Sequence, residues 1–148
     1  MVCELKVKMS KILIVEDNAT FRQTIISLLK FRFPTLAFEE ATNGEEALRK
    51  VRDFVPDLLF MDISLPGESG LNLLKEIKDA FPETITIILT SYDFPEYREV
   101  AKQNGASHFL SKSSTSAEEI LVLVDSILCD LDSMYAGKIK GAKTEKLT

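Results

Sequence analysis

A run of four apolar residues, Leu58 to Met61, leads into Asp62, and a short turn containing Pro66 and Gly67 follows. An apolar run of this length between turn residues is typical of a strand buried on both faces, as in a parallel sheet. A carboxylate at the end of such a strand lies at the carboxyl edge of the sheet, where open α/β folds place their chemistry. The stretch therefore predicts a parallel α/β fold with Asp62 at its functional edge, although a loop-capping aspartate would give the same local pattern.

Four further strand-like runs alternate with helical patterns along the chain. The five strands are predicted at 11–15, 36–41, 57–62, 84–90 and 107–112. Apolar residues at helical spacing predict a helix after four of the strands, and Pro95 in a first turn and Gly105 as a C-terminal cap predict a short helix after the fourth strand. The last helix begins at Thr115 or Ser116, since each has a glutamate three residues later, as in a capping box. This alternation predicts a flavodoxin-like, doubly wound (βα)5 fold with a five-stranded parallel sheet in the order 2-1-3-4-5.

The length of 148 residues favours one domain, which we place at 10–132, followed by an extension of the last helix and a basic tail over 133–148. Residues 136–148 hold four lysines and one glutamate, so the net charge of −5 divides into +3 there and −8 on the rest. An acidic body argues against direct nucleic-acid binding by this domain.

The remaining composition suggests a cytoplasmic protein. No apolar run approaches the roughly 20 residues that a membrane helix needs, so we expect no membrane partner. The N-terminus lacks the apolar core of a signal peptide. Cys3 and Cys129 lie in unrelated contexts, without a CxxC or histidine partner, and are expected as free thiols in a reducing cytoplasm.

Acidic and polar residues stand at the ends of four of the predicted strands. Glu16 and Asp17 follow the first strand, and the third, fourth and fifth strands end in Asp62, Thr90 and Lys112. In the expected order the first and third strands are neighbours, so the three carboxylates face one crevice. Carboxylates about 4 Å apart repel by roughly 4 kcal/mol per pair at an effective dielectric of 20, and Mg²⁺ with oxygen ligands offsets this repulsion. The pattern predicts Mg²⁺-dependent phosphoryl transfer with Asp62 as the nucleophile.

These motifs resemble the receiver domain of two-component response regulators. The resemblance covers about residues 10–132 and rests on the pair Glu16-Asp17, the block DISLPGESG around Asp62, Thr90, and the segment GASHFLSK that ends in Lys112. It implies that Asp62 accepts a phosphoryl group from a histidine kinase or a histidine phosphotransfer protein. The domain is then a switch that catalyses its own phosphorylation and dephosphorylation, with no separate substrate.

The resemblance also implies how the site works. The metal ion is Mg²⁺, for which Mn²⁺ can substitute, and its implied ligands are Glu16, Asp17, Asp62 and the backbone carbonyl of Ser64. The phosphoryl group is contacted by Thr90 and Lys112.

A switch and a lifetime control are implied as well. Phe109, three residues before Lys112, matches the rotating aromatic residue of the family, so Thr90 and Phe109 form the expected switch. Ser64 and Tyr92 are expected to overhang the phosphoryl group and set its lifetime. The output is expected to be a phosphorylation-dependent dimer or a downstream protein.

The sequence departs from the family pattern at two positions. Ser113 follows Lys112 where the family commonly has proline, so a trans peptide bond is expected there, because a cis bond before a residue other than proline costs about 3–4 kcal/mol. The resulting LSKSS ending resembles receivers attached to LuxR-type helix-turn-helix output domains. The first acidic residue is Glu16 instead of the commoner aspartate, which changes the reach of a ligand without removing it.

Three other interpretations fit less well. A phosphatase of the haloacid-dehalogenase type has a second aspartate two residues after its nucleophile, and this chain has Ser64 there. A flavodoxin-like cofactor binder needs a phosphate loop after the first strand, where Glu16 and Asp17 would repel a phosphate. A degenerate receiver that acts only as an interaction module would lack a site residue, and none is missing.

Overall fold

The computed structural model describes residues 10–131, which form a five-stranded parallel sheet with helices on both faces. The strands are β1 (Lys11–Val15), β2 (Ala37–Ala41), β3 (Leu58–Met61), β4 (Ile85–Thr90) and β5 (His108–Ser111). The helices are α1 (Ala19–Arg32), α2 (Gly44–Phe54), α3 (Gly70–Ala80), α4 (Pro95–Gln103) and α5, which spans 117–131 of the described residues. The strands are hydrogen-bonded in the order β2-β1-β3-β4-β5, which confirms the predicted fold and the predicted 2-1-3-4-5 order.

The neighbouring strands β1 and β3 are buried on both faces. In β1, Ile12 and Ile14 join the core under α1 and α5, while Leu13 and Val15 join the core on the opposite face, because successive strand residues point to opposite sides of a sheet. The apolar run of β3 is divided between the two cores in the same way. Val15 pairs with Met61, so the residues that follow β1 and β3 lie at a common edge of the sheet.

Side-chain caps fix where the helices begin. Asn18 accepts a hydrogen bond from the amide of Phe21 and so starts α1 directly after the acidic pair. At α5 the Oγ of Ser116 accepts from the amide of Glu119 at 3.1 Å, and Oε1 of Glu119 accepts from the amide of Ser116 at 3.3 Å. The reciprocal pair is a capping box, so of the two predicted starts, Thr115 and Ser116, the N-cap is Ser116.

The structure adds detail that the sequence pattern lacked. The segment between β3 and α3 contains a two-residue antiparallel pairing of Ser64–Leu65 with Glu68–Ser69. No cis peptide bond occurs in residues 10–131, as expected for the bond after Lys112. No helix within that range is long and apolar enough to cross a membrane. The expected tail at 133–148 lies outside the described residues.

The prediction of free thiols is wrong for Cys129, which is disulfide-bonded in the structure. Cys3 lies outside the described residues. The prediction rested on the absence of a CxxC or histidine neighbour in the sequence, and such spacing does not report which cysteines the fold brings together.

Val55 at the C-terminus of α2 has a left-handed backbone conformation, with φ +48°, and its side chain is half exposed. This conformation costs residues with a Cβ roughly 1–2 kcal/mol, whereas glycine adopts it readily. Val55→Gly is therefore expected to raise the free energy of unfolding by about 1 kcal/mol in chemical denaturation.

Val122 provides the control, since it is exposed within α5. Val122→Gly is expected to lower the free energy of unfolding, because glycine in a helix interior costs about 1 kcal/mol relative to alanine. A decrease of similar size in both variants would show that the Val55 conformation stores no strain.

Candidate functional site

The three predicted carboxylates meet at the carboxyl edge of the sheet. Oxygen atoms of Glu16, Asp17 and Asp62 lie within 4.8 Å of one another. Glu16 and Asp62 are buried, whereas Asp17 is exposed. Glu16 follows β1 and Asp62 follows the neighbouring β3, so the register of these two strands sets the spacing.

Lys112 reaches this cluster from the end of β5. Its Nζ lies 2.6 Å from Oε1 of Glu16 and 2.8 Å from Oδ2 of Asp62. The backbone amide of Lys112 donates to the carbonyl of Thr90 at 2.9 Å, which anchors the residue to the adjacent strand. One ammonium therefore bridges two buried carboxylates, and it also lies 4.4 Å from the centroid of the Phe21 ring.

Burial raises the pKa of Glu16 above its ordinary value, because the loss of water outweighs the hydrogen bonds from Lys112 and the amide of Asn18. Burial alone would lower the pKa of Lys112, but hydrogen bonds to Asp62 and Glu16 outweigh it and raise the pKa. Burial dominates the pKa of Glu16, whereas the charged partners dominate the pKa of Lys112. The reason is that Lys112 has two carboxylate partners, while Glu16 shares one ammonium with Asp62.

Glu16→Gln is expected to raise the thermal midpoint of the protein at pH 7 without divalent cations. A carboxyl whose pKa is raised by folding stabilises the folded state fully below its unfolded pKa, about 4.3, and loses that contribution as pH rises through the folded pKa. Glutamine imitates the protonated form, so its advantage over Glu16 should shrink as the pH falls toward 4. Differential scanning calorimetry from pH 4 to 8 measures both effects. A lower midpoint than the parent at pH 7 would show that the ion pair outweighs burial.

Asp62 is held by the backbone around it. Its Oδ1 accepts from the amide of Ser64 at 3.1 Å, and its own amide donates to the carbonyl of Val15 at 3.2 Å. A Cβ on Gly70 would come within 2.4 Å of the Asp62 carbonyl oxygen and 2.7 Å of the Ile63 backbone, closer than atoms approach. Gly70 is thus required for the loop that presents Asp62, and the sequence analysis assigned it no such role.

Thr90 and Phe109 lie on one face of the sheet. Ile88 pairs with Phe109 and Thr90 with Ser111, so Thr90 and Phe109 are diagonal neighbours on adjacent strands. Thr90 is fully buried, and its Oγ1 accepts from the amide of Tyr92 at 3.2 Å. Phe109 is half-buried. The structure thus places the two expected switch residues on the same face of adjacent strands.

Two residues of α1 were missed by the sequence analysis. Phe21 lies against the ammonium of Lys112, and Arg22 donates from Nη1 to the carbonyl of Glu16 at 2.7 Å. Arg22 is itself held by Glu40 on β2, at 2.7 Å from its Nε. The only sequence signal of these two residues was their position in the first turn of the helix that follows the acidic pair. Helical spacing alone predicts that Phe21 is a core residue.

The donor set suits a hard divalent cation. Three carboxylates converge, and the cluster is open to solvent where Asp17 is exposed. Proteins usually hold Mg²⁺ with oxygen ligands and leave room for several water molecules. The cluster lies beside the ammonium of Lys112, so a bound cation and Lys112 would offset negative charge at the same place.

Comparison with known proteins points in the same direction. The family model described as the response regulator receiver domain matches residues 12–125. The oxygen regulatory protein NreC of Staphylococcus haemolyticus is 38% identical over 118 residues, which cover 79% of this chain and 54% of that protein. NreC of Staphylococcus aureus is 37% identical over 114 residues, covering 76% of this chain and 52% of that protein. The chain thus spans about half the length of the curated relatives it matches.

Solved structures share the fold. A CheY-like response regulator receiver domain protein from Methanospirillum hungatei JF-1 superimposes with a TM-score of 0.77 at 25% identity, over 85% of this chain and 98% of that chain. A DNA-binding response regulator of the LuxR family from Staphylococcus aureus gives 0.73 at 27% identity, over 80% of this chain and 98% of that chain. The second match agrees with the resemblance of the LSKSS ending to LuxR-type receivers. Since the family match spans most of the residues that build the sheet and its acidic edge, the chain belongs to the response regulator receiver domains of two-component signalling.

Proposed function

We propose that Asp62 is the residue of this receiver that accepts the phosphoryl group. The observation that carries the proposal is the setting of its carboxylate, which lies at the sheet edge within 4.8 Å of two further carboxylates and 2.8 Å from the ammonium of Lys112. Phosphoryl transfer needs an oxygen nucleophile surrounded by positive charge, because negative charge spreads over the phosphoryl oxygens in the transition state. Lys112 supplies part of this positive charge, and its ammonium and the amide of Ser64 each hold one oxygen of Asp62.

In the transfer, an Asp62 oxygen forms a bond to phosphorus as the bond to the donor breaks, and the donor leaves with that electron pair. Lys112 stabilises charge on the transferred oxygens, and Thr90 donates its hydroxyl to one of them. Glu16, Asp17, Asp62 and the carbonyl of Ser64 would hold Mg²⁺, or Mn²⁺ in its place, which supplies the remaining neutralising charge. Hydrolysis of the acyl phosphate resets the domain, so the chemistry serves the protein itself and no separate substrate is turned over.

The partners follow from this chemistry. A histidine kinase or a histidine phosphotransfer protein would supply the phosphoryl group, and the modified domain would engage a second copy of itself or a downstream protein. Residues 10–132 form the proposed receiver unit, with 133–148 beyond it. We place the reaction in the cytoplasm, where ATP charges a kinase.

The test uses a small phosphodonor. Incubation with acetyl phosphate and Mg²⁺ or Mn²⁺ should add one phosphoryl group to each chain, as measured by intact mass spectrometry. With EDTA the addition should fall below detection, because the carboxylate cluster then lacks its cation. Metal-independent labelling, or none at all, would contradict the proposed site.

Tyr92 should lengthen the lifetime of the phosphoryl group. Its amide donates to the hydroxyl oxygen of Thr90, and its exposed aromatic side chain lines one cleft together with the small residue Ser64. Tyr92→Ala should therefore open a path for water and hydrolyse several-fold faster than the parent. Decay of purified phosphoprotein after removal of acetyl phosphate gives the rate, with Phe31→Ala as the control, because it removes an exposed aromatic side chain near the C-terminus of α1. Equal rates for the parent and Tyr92→Ala would remove Tyr92 from the control of lifetime.

A further inference from the structure

Arg98 on α4 joins three parts of the molecule through one side chain. Its guanidinium lies 4.7 Å from the centroid of the Phe109 ring on β5. Its Nη1 donates to the backbone carbonyl of Phe109 at 3.2 Å, and its Nη2 lies 2.6 Å from Oδ1 of Asp93 in the loop after β4. The contacts tie that loop, α4 and β5 together on the surface beside the proposed switch.

The loop held by Arg98 begins at Thr90. Tyr92 donates its amide to the Thr90 hydroxyl, and Asp93 is the next residue. Arg98 therefore contacts both parts of the expected switch: the segment that follows Thr90, through Asp93, and Phe109, through its ring and carbonyl.

These contacts differ in what they can control. The hydrogen bond to the Phe109 carbonyl does not depend on the rotamer of the ring, and an exposed ion pair such as Arg98–Asp93, with side chains 50% and 36% exposed, contributes little by itself. The stacking of the guanidinium on the ring exists only for the rotamer that the structure shows. Of these three contacts, only the stacking is therefore lost when the ring turns toward Thr90.

We infer that Arg98 is a positioning residue that holds the Phe109 ring in its present rotamer and so sets the population of the alternative, inward rotamer. The inference rests on the proposed switch between Thr90 and Phe109. A cation–π contact made by an exposed cation such as Arg98 shifts such a two-state equilibrium by about two- to fivefold, which corresponds to roughly 0.5–1 kcal/mol. Arg98 thereby limits how far the switch turns before phosphorylation without contacting the phosphoryl group.

The test compares amide NMR spectra of Arg98→Gln and the parent, each with and without beryllofluoride, a mimic of the phosphoryl group. Lys102→Gln is the matched control, because it removes an exposed cation from the same helix. In the unmodified Arg98→Gln protein, the resonances of Phe109 and Ser111 should move along the line toward their beryllofluoride positions, reporting a two- to fivefold larger inward population. Lys102→Gln should leave them in place.

If Arg98 had only a structural role, these resonances would move in a direction other than toward their beryllofluoride positions. Such a movement would overturn the inference, and so would resonances that stay at their parental positions. The Thr90–Phe109 switch fails separately, if the parent itself shows no beryllofluoride shift at Phe109. In that case the inference falls with it, whereas a shifting parent and an unresponsive Arg98→Gln variant exclude only the role of Arg98.

Discussion

Asp62→Asn is expected to abolish phosphorylation by acetyl phosphate, reducing the rate by at least about a thousandfold, because an amide oxygen is a far weaker nucleophile than a carboxylate. The fold should survive, since the amide oxygen of asparagine can still accept from the amide of Ser64. The measurement is incorporation of the phosphoryl group by intact mass, with circular dichroism as the check on folding.

Asp57→Asn is the matched control. Asp57 lies at the opposite end of the same strand, where its Oδ2 accepts from the amide of Lys11 at 2.9 Å, and asparagine keeps that acceptor. The control should be phosphorylated at the parental rate. Labelling of Asp62→Asn at a comparable rate would mean that another carboxylate is the acceptor.

Thr90→Ala is expected to separate phosphorylation from the conformational response. Thr90 is buried, and its Oγ1 accepts from the amide of Tyr92, so its hydroxyl hydrogen can still be donated to a phosphoryl oxygen toward which the side chain moves. That movement frees space on the face of the sheet that Thr90 shares with Phe109. Filling it with the Phe109 ring is favourable by up to about 3 kcal/mol, enough to shift the two rotamers by around a hundredfold.

The variant should still accept a phosphoryl group at Asp62 while losing most of that shift. Amide NMR of residues 93–112 with and without beryllofluoride measures the response, and Thr90→Ser, which keeps the hydroxyl, should restore it. Identical beryllofluoride shifts in Thr90→Ala and the parent would show that Thr90 does not couple the site to Phe109.

The sheet could be predicted from the sequence because its signals are local. A run such as Leu58 to Met61 is buried on both faces in the structure and continues into Asp62, as the apolar pattern indicates. Strand ends differ by at most one residue, since the pattern marks burial and not hydrogen bonding. The clustering of Glu16, Asp17 and Asp62 followed from topology alone, because the ends of adjacent parallel strands share an edge.

What could not be predicted depends on contacts between residues distant in sequence. The bridge from Lys112 to Glu16 as well as Asp62 requires the length and direction of one side chain across the sheet. The need for glycine at position 70 comes from a backbone approach to Asp62 that no spacing rule encodes. The sequence around Arg98 carries no signal for a contact with Phe109, and only the fold places the guanidinium on that ring.

Chemical trapping tests most directly whether the phosphoryl group resides on Asp62. Borohydride reduces an aspartyl phosphate to homoserine and leaves unmodified carboxylates intact. After phosphorylation with acetyl phosphate and Mg²⁺, followed by reduction and proteolysis, peptide sequencing by mass spectrometry should find homoserine at position 62, and none when EDTA is present. Homoserine at position 17 or at any other aspartate, with an unmodified aspartate at 62, would contradict the claim.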